Sequence, residues 1–346
     1  MKKLFALGIV FCFVLGGLGA AAVQPHTFED YKTMKTSIFY KQDQLKISEK
    51  DNEYIQISLD ESQELLLNPG KPILPKEVKT FELPFGAKNI VIEVNPIQTS
   101  TTNIEKQIKP SPSPLPLSSV EFDVNIAEKD KQVYQSKNPF PSECFTTDIG
   151  VGINENFEHV TFVNVHFYPV RYIPAENKLI LTEEANIKIS YTLPESNPFP
   201  ETSTYELVII APEEFSEALQ PLIDHKNSFG VETLLKPVEE IYAEFDGVDE
   251  AEQIKYFIKF ALEEYNIKYV LLAGGLKSTL YSKPRDNKNI GSSGWHIPVR
   301  YTNVREGGDP GYISDLYYAD VYKQDGEFET WDYDGDGIFA EWPDDN

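Results

Sequence analysis

Hydrophobic and polar residues alternate with a period of two in several stretches between residues 23 and 200. The alternation is clearest in residues 77–83, 89–94, 160–167, 178–181 and 185–191. Because successive side chains of a strand point to opposite faces, each run predicts a strand with one buried face. Short segments rich in Pro, Gly and Asn separate the runs. Strands of this length and spacing predict an all-β, sandwich-like domain.

The pattern changes after residue 204. Residues 205–211 and 268–273 are near-continuous apolar runs, which are typical of parallel strands covered on both faces. Between them lie a helix, a strand at 231–235, and a second helix whose start carries the capping pair Asp249 and Glu252. The apolar face of the second helix is formed by Ile254, Phe257, Ile258, Ala261, Leu262 and Tyr265. The order strand, helix, strand, helix, strand predicts a doubly wound parallel sheet.

Three segments are predicted along the chain. Residues 1–22 have a basic start, an apolar run and small residues at the end, which indicate a secretory signal peptide; a retained anchor is the alternative. A Pro-rich stretch at 194–200 divides the rest into a β-rich domain, 23–200, and an α/β portion, 201–346. Exposed stretches of this kind are preferred sites of proteolytic processing.

Composition limits the partners of this chain. The formal net charge is −24 over 346 residues, with 31 Lys and Arg against 55 Asp and Glu. Nucleic acid is excluded as a partner because binding phosphates needs clustered basic residues. An anionic membrane surface is equally disfavoured, so we expect no membrane contact after the signal peptide of this secreted protein is removed.

The sequence offers no catalytic residue. Of its two cysteines, Cys12 lies in the signal peptide and Cys144 lies in a loop-like context without a neighbouring base. The five histidines form no metal-binding pair and have no nucleophile in a matching context. We therefore assign none of them to catalysis.

An acidic stretch near residue 335 is the best chemical signal. Asp332, Asp334 and Asp336 alternate and are followed by Gly337, as in the first half of a calcium loop. The twelfth position of an EF-hand would be Pro343, so the loop is not a standard EF-hand. A further ligand could come from Glu341, Asp344 or Asp345, and we favour Glu341. A solvated acidic turn without an ion is the alternative.

Several phrases in this sequence resemble a known family. Residues 205–212, 219–230, 254–265 and 269–274 resemble the start of the catalytic domain of gingipain-type cysteine peptidases, and 314–318 resembles the S-D-x-x-Y phrase of that family. Residues 70–75, 83–87 and 168–172 resemble its propeptide.

The resemblance implies a caspase-like α/β fold behind a β-rich propeptide, a calcium loop after residue 318, and protein or peptide substrates for the full-length enzyme. The Cys nucleophile and the His of an H-G pair have no match in these residues, and we expect them beyond Asn346. The chain is therefore predicted to be an inactive N-terminal portion of a secreted peptidase precursor. The alternative is a non-catalytic secreted protein of the same family that binds calcium or a surface.

Overall fold

A computed structural model gives the fold of this chain. It describes residues 31–49, 53–60, 62, 64–113, 129–278, 280, 294–304 and 312–342. These residues fall within one compact unit, Tyr31–Asn346. The predicted signal peptide, residues 1–22, lies outside the described residues. No helix in the described part of the chain has the length and apolar character needed to cross a membrane.

The chain before residue 193 is rich in strands. Its described strands are β1 (Lys32–Phe39), β2 (Leu45–Glu49), β3 (Tyr54–Leu59), β4 (Glu64–Leu66), β5 (Leu74–Pro84), β6 (Lys88–Asn103), β7 (Gln107–Ile108), β8 (Phe145–Ile153), β9 (His159–Phe167), β10 (Val170–Ile173) and β11 (Lys178–Thr192). A short helix, α1 (Lys131–Tyr134), precedes β8. The strands form sheets of order β4-β5-β9-β8, β2-β3-β7 and β1-β11-β10, and β6 also pairs with β11. A strand-rich architecture with several sheets is thus confirmed.

Strands β6 and β11 form a long antiparallel pair. Its register runs from Lys178 opposite Asn103 to Thr192 opposite Lys88, with shifts around Glu184. The sequence predicted two strands here, at 178–181 and 185–191. The structure has one, because an irregularity of this kind absorbs extra residues and lets the ladder continue beyond it.

The sheets of this β-rich part share one hydrophobic core. Its fully buried members include Ile57, Leu74, Val163, Phe167, Leu179 and Ile189. They come from β3, β5, β9 and β11, so each of the three sheets contributes a face. The predicted alternation placed Val163, Phe167, Leu179 and Ile189 on the buried faces of their strands, whereas Ile57 and Leu74 lie outside the predicted runs.

The chain after residue 204 forms a three-stranded parallel sheet with helices. Its elements are β12 (Leu207–Ala211), α2 (Ser216–Ser228), β13 (Thr233–Pro237), α3 (Val238–Glu244), α4 (Glu250–Tyr265) and β14 (Tyr269–Leu272). The strand order is β13-β12-β14, with both pairings parallel. The central strand β12 is buried at every position. Helix α2 lies between β12 and β13 and helix α4 between β13 and β14, as the sequence predicted, whereas the seven-residue helix α3 between β13 and α4 was not predicted.

Helix α4 begins at a well-formed cap. The side chain of Asp249 accepts a hydrogen bond from the backbone N–H of Glu252 at 3.0 Å, and the Glu252 carboxylate accepts one from the Val248 N–H at 2.7 Å. The helix ends at Asn266, whose left-handed φ of 53° suits a residue that terminates a helix. The predicted apolar face is confirmed, with Ile254 and Ala261 fully buried.

Strand β14 differs from its prediction. Its apolar residues were predicted to be covered on both faces, but Tyr269, Val270 and Leu271 are each more than one-third exposed. The reason is topological, because β14 pairs with β12 on one side and with no other described strand. An edge strand of a parallel sheet remains open until a further element covers it.

The remaining described elements are short. They are β15 (Asn303–Val304), α5 (Leu316–Ala319) and β16 (Glu341–Trp342), and β15 pairs with β16 in parallel. Residues 193–206 connect β11 to β12 and include the Pro-rich stretch 194–200. The domain boundary at residue 200 stays a prediction.

Candidate functional site

The acidic loop brings three carboxylates together. Ligand atoms of Asp332, Asp334 and Asp336 lie within 4.8 Å of one another. Asp332 is half-buried, whereas the other two are exposed. The cluster therefore presents carboxylate oxygens to solvent on its exposed side.

Backbone N–H groups fix the shape of this loop. The two carboxylate oxygens of Asp332 accept hydrogen bonds from Gly335 N–H at 2.8 Å and Gly337 N–H at 3.1 Å. Asp336 accepts one from Ile338 N–H at 2.7 Å. Gly335 and Gly337 have φ values of 75° and 80°, a region that glycine adopts without steric cost. The loop thus curls around Asp332 through its own backbone.

Glu341 lies apart from this cluster. It begins β16, and its side chain is buried. It is not a member of the cluster whose ligand atoms lie within 4.8 Å of one another. Its role as a calcium ligand stays a prediction. Asp344 and Asp345, the other predicted alternatives, lie outside the described residues.

Aromatic residues anchor the loop to the α/β part. The indole N–H of Trp331 donates to the Asp320 carboxylate at 2.7 Å, and the Tyr333 hydroxyl donates to Glu329 at 2.5 Å. Glu329 also accepts from the Trp331 backbone N–H at 2.9 Å, and Ala340 N–H donates to the Trp331 carbonyl at 2.6 Å. The loop is therefore tied at both of its ends.

A buried lysine supports the first of these ends. Lys255 of α4 is fully buried, and its ammonium donates to the Glu329 carbonyl at 2.6 Å. It lies 4.2 Å from the ring centre of Tyr317 and 5.8 Å from that of Trp331, distances at which a cation interacts with a π face. Burial lowers the pKa of Lys255 to about 7, although the Asp320 and Glu329 carboxylates act in the opposite direction.

A buried arginine supports the second end. Arg300 is fully buried and donates two hydrogen bonds to the Asp249 carboxylate, at 2.7 and 2.9 Å. It donates a third to the Tyr317 hydroxyl at 3.2 Å, and its guanidinium lies 3.6 Å from the ring centre of Phe339. A paired, stacked guanidinium of this kind holds its surroundings in one geometry. Sequence reasoning did not single out Lys255 or Arg300.

The carboxyl ends of the parallel strands carry another polar pair. His296 Nδ1 lies 3.5 Å from a carboxylate oxygen of Glu214, which follows β12. The backbone N–H of His296 donates a hydrogen bond to the Gly275 carbonyl at 2.8 Å. A Cβ atom on Gly274 would lie 2.8 Å from Ile297 Cγ1, so glycine is required for this close approach.

Cys144, the cysteine in the described residues, is in a poor environment for a nucleophile. Cys144 is buried in the core of the β-rich part. Burial raises the pKa of its thiol, although the nearby Arg171 acts in the opposite direction. A thiol kept protonated by burial is a poor nucleophile.

The β-rich and α/β parts meet at an aromatic cluster that we call the seam, formed by Phe85, His159, Phe199 and Tyr322. The Phe85 ring lies 4.8 Å from that of Phe199 and 5.0 Å from that of Tyr322, and His159 stacks on Phe199 at 4.2 Å. Phe85 comes from the turn between β5 and β6, yet it belongs to the hydrophobic core of the α/β part. Burial lowers the pKa of His159 to about 4, which keeps it neutral near pH 7.

The seam lies toward the amino ends of the parallel strands. Phe157, near β9, packs edge-on against Tyr269, the first residue of β14, at 5.9 Å. The carboxyl ends, where the active sites of open α/β sheets lie, are at the opposite side. Sequence reasoning did not predict the seam, since residues 83–87, which contain Phe85, were interpreted as a segment between strands that resembles the propeptide.

Comparison with known proteins gives two family matches. The model described as Propeptide_C25 matches residues 29–211, and the model described as Peptidase family C25 matches residues 201–336. No curated protein matches this chain.

Two solved structures from Porphyromonas gingivalis are similar to parts of the chain. One concerns the zymogenic latency of gingipain K, with 16% identity, a TM-score of 0.39, and coverage of 46% of this chain and 87% of that chain. The other is a complex of RgpB pro- and mature domains, with 18% identity, a TM-score of 0.37, and coverage of 55% of this chain and 90% of that chain.

Proposed function

Because this chain belongs to peptidase family C25, the gingipain-type cysteine peptidases, and contains its propeptide and the N-terminal part of its peptidase domain, we propose that it is part of the precursor of a secreted gingipain-like endopeptidase. The order of the two matched family models along one chain carries this proposal. The signal-like residues 1–22 support secretion. The substrates of the full-length enzyme would be proteins or peptides.

The contact between the two parts supports a propeptide that folds onto its peptidase domain. The Phe85 side chain is 7% exposed and is buried among residues of the α/β core. Gly326 follows α5 and approaches the same ring, so that an added Cβ would lie 3.4 Å from it. A side chain inserted in this way holds two parts of a chain in one relative position. We further propose that the order β13-β12-β14 is the beginning of a caspase-like doubly wound sheet.

We assign the catalytic Cys and His to no residue of this chain. A cysteine peptidase needs a thiolate that attacks the carbonyl and a base that activates it. Cys144 is buried with a raised pKa, and the His296–Glu214 pair has no thiol beside it in the described residues. The chain alone is therefore expected to hydrolyse no peptide bond.

Sequencing the transcript beyond codon 346 tests the precursor proposal. We expect the frame to continue through a His-Gly pair and, after another strand, a Cys. A stop codon directly after Asn346 would contradict it and favour the alternative, a non-catalytic secreted protein. A peptide-hydrolysing activity of the purified chain that iodoacetamide abolishes would contradict the assignment of no nucleophile.

The acidic loop is proposed to bind calcium. Its donor set fits this ion, since Asp332, Asp334 and Asp336 supply hard oxygen ligands at close range and water can complete the coordination. The exposed side of the cluster leaves room for such waters. A bound dication would offset the mutual repulsion of the three carboxylates. It would thereby stabilise the loop, whose two ends are supported by Lys255 and Arg300.

Thermal unfolding with calcium and with a chelator tests this site. Calcium at about one hundred times the dissociation constant should stabilise the native chain by about 2.7 kcal/mol. Asp332→Asn should remove this effect, whereas the matched control Asp246→Asn, at an exposed position outside the loop, should keep it. Equal melting temperatures of the native chain with calcium and with chelator would contradict calcium binding.

A further inference from the structure

The segment between β11 and β12 begins with a stretch that is exposed and lacks hydrogen bonds to other backbone among the described residues. Residues 193–198 follow Thr192, and their backbone forms no hydrogen bond with other backbone in the described part of the chain. Leu193 is half-exposed, and Glu195 and Ser196 are exposed. A peptidase binds its substrate as an extended segment, so a stretch that is exposed and already unpaired costs little to open.

Both ends of this segment are held in place. Thr192 is buried, and its hydroxyl donates to the Lys88 carbonyl at 3.2 Å. At the other end, Asn266 donates from its side chain to the Pro200 carbonyl at 3.0 Å and accepts at its backbone carbonyl from the Ser203 hydroxyl at 2.8 Å. The movement that exposes a bond is therefore confined to the seven residues 193–199 between these two attachments.

Proline limits which bonds in the segment can be cut. The bonds before Pro194, Pro198 and Pro200 lack an amide N–H and have a ring on the leaving nitrogen. Between residues 193 and 198, the bonds that remain follow Pro194, Glu195 and Ser196. Glu195 is the residue among these whose side chain gives a peptidase a charge to recognise.

Basic residues are absent from the whole connection. The sequence contains no Lys or Arg between Lys188 and Lys226. Lys188 lies within β11 and pairs with Glu93 at 2.6 Å, and Lys226 lies within α2. A peptidase specific for basic residues therefore finds no cleavable bond between the two parts of the chain.

We propose that the two parts are separated at the Glu195–Ser196 bond by an endopeptidase whose specificity pocket is basic and accepts an acidic side chain. One water is consumed: the amide C–N bond breaks, a C–O bond forms, Glu195 retains the new α-carboxylate and Ser196 the new α-amine. The meaning of this cut as maturation rests on the proposed precursor function. After the cut, Phe199 would belong to the new N-terminal segment of the α/β part, and its ring contacts in the seam would hold that segment in place.

Limited proteolysis of the full native chain tests this proposal. A glutamyl endopeptidase should make its first cut after Glu195, as identified by the intact masses of the products. Glu195→Gln should slow cutting of the connection by at least about tenfold. Glu201→Gln is the matched control, because Glu201 lies in the held part beside Pro200, and it should leave the rate unchanged within about twofold. A first cut elsewhere, or an unchanged rate in Glu195→Gln, would overturn the proposal.

The N terminus of the protein secreted by its natural host provides the second measurement. Ser196 as the first residue of the α/β part supports the proposal, and a terminus created after a Lys or Arg overturns it. These outcomes are independent of the transcript. A frame that stops after codon 346 contradicts the precursor function without changing the first cut, and a first cut elsewhere contradicts only the processing site.

Discussion

Replacing Phe85, a residue of the β-rich part, by Ala should lower the stability of the α/β part, in whose core the Phe85 ring is buried. Phe85 follows a strand of the β-rich part, but its ring is 7% exposed within the core of the α/β part. Phe85→Ala deletes the ring contacts to Phe199 and Tyr322 and leaves a cavity. Truncation of a buried Phe costs about 3 to 5 kcal/mol.

Tryptophan fluorescence makes this prediction specific. All three tryptophans of the sequence follow residue 204, and Trp331 is part of the hydrophobic core of the α/β part, so tryptophan fluorescence reports on that part. Phe85→Ala should lower the midpoint of thermal unfolding detected by their fluorescence by about 6 to 20 °C, because 1 kcal/mol corresponds to about 2 to 4 °C in domains of 150 to 250 residues.

Phe39→Ala is the control, since Phe39 is also in the β-rich part but is 62% exposed. Its effect should stay within about 0.5 kcal/mol, as for other surface substitutions. If Phe85→Ala moves the fluorescence-detected midpoint no further than Phe39→Ala does, the seam does not join the two parts energetically. That result would refute the reasoning from burial and ring contacts.

Three further predictions concern two buried titratable side chains and one glycine that lies close to a neighbouring segment. The folded-state pKa of Lys255 is about 7, below its unfolded value of about 10.4. The free energy of unfolding should therefore rise by up to about 4 to 5 kcal/mol as the pH increases from about 7 to about 10.4. Lys255→Met should flatten this rise, as measured by urea unfolding. The folded-state pKa of His159, about 4, is below about 6.5, so stability should fall by about 3 kcal/mol as the pH drops from about 6.5 to about 4; an identical fall in His159→Phe would contradict this. Gly274→Ala should destabilise the chain by about 1 to 3 kcal/mol in the same assay, whereas Gly275→Ala, with open space around it, should not.

Local signals in the sequence predicted the α/β elements well. The spacing of apolar residues in α4 and the capping residue Asp249 depend on neighbours within a few positions, and both are found in the structure. The alternation in β11 placed its buried side chains in the same way, although it did not show that a register shift joins two runs into one strand. Patterns of this range need no knowledge of the rest of the fold.

Contacts between distant residues could not be predicted. Lys255 follows Ile254 in an ordinary amphipathic helix, and only the return of the chain at Glu329 and Trp331 buries it. The exposure of β14 depends on which strand lies beside it, which its own apolar sequence does not specify. The acidic loop was found because its aspartates are close in sequence, while Glu341 shows that proximity in sequence does not guarantee a shared cluster.

Asp249 performs two tasks that tolerate different substitutions. As the cap of α4 it accepts a backbone N–H, a task that Ser, Thr or Asn also performs. As the partner of the buried Arg300 it must carry a negative charge, because an unpaired buried guanidinium is severely destabilising. Relatives that keep the arginine should therefore keep an acid here, whereas relatives that lose it are free to drift among the capping residues. Joint variation at positions 249 and 300 would thus trace this core through the family even where overall identity is low.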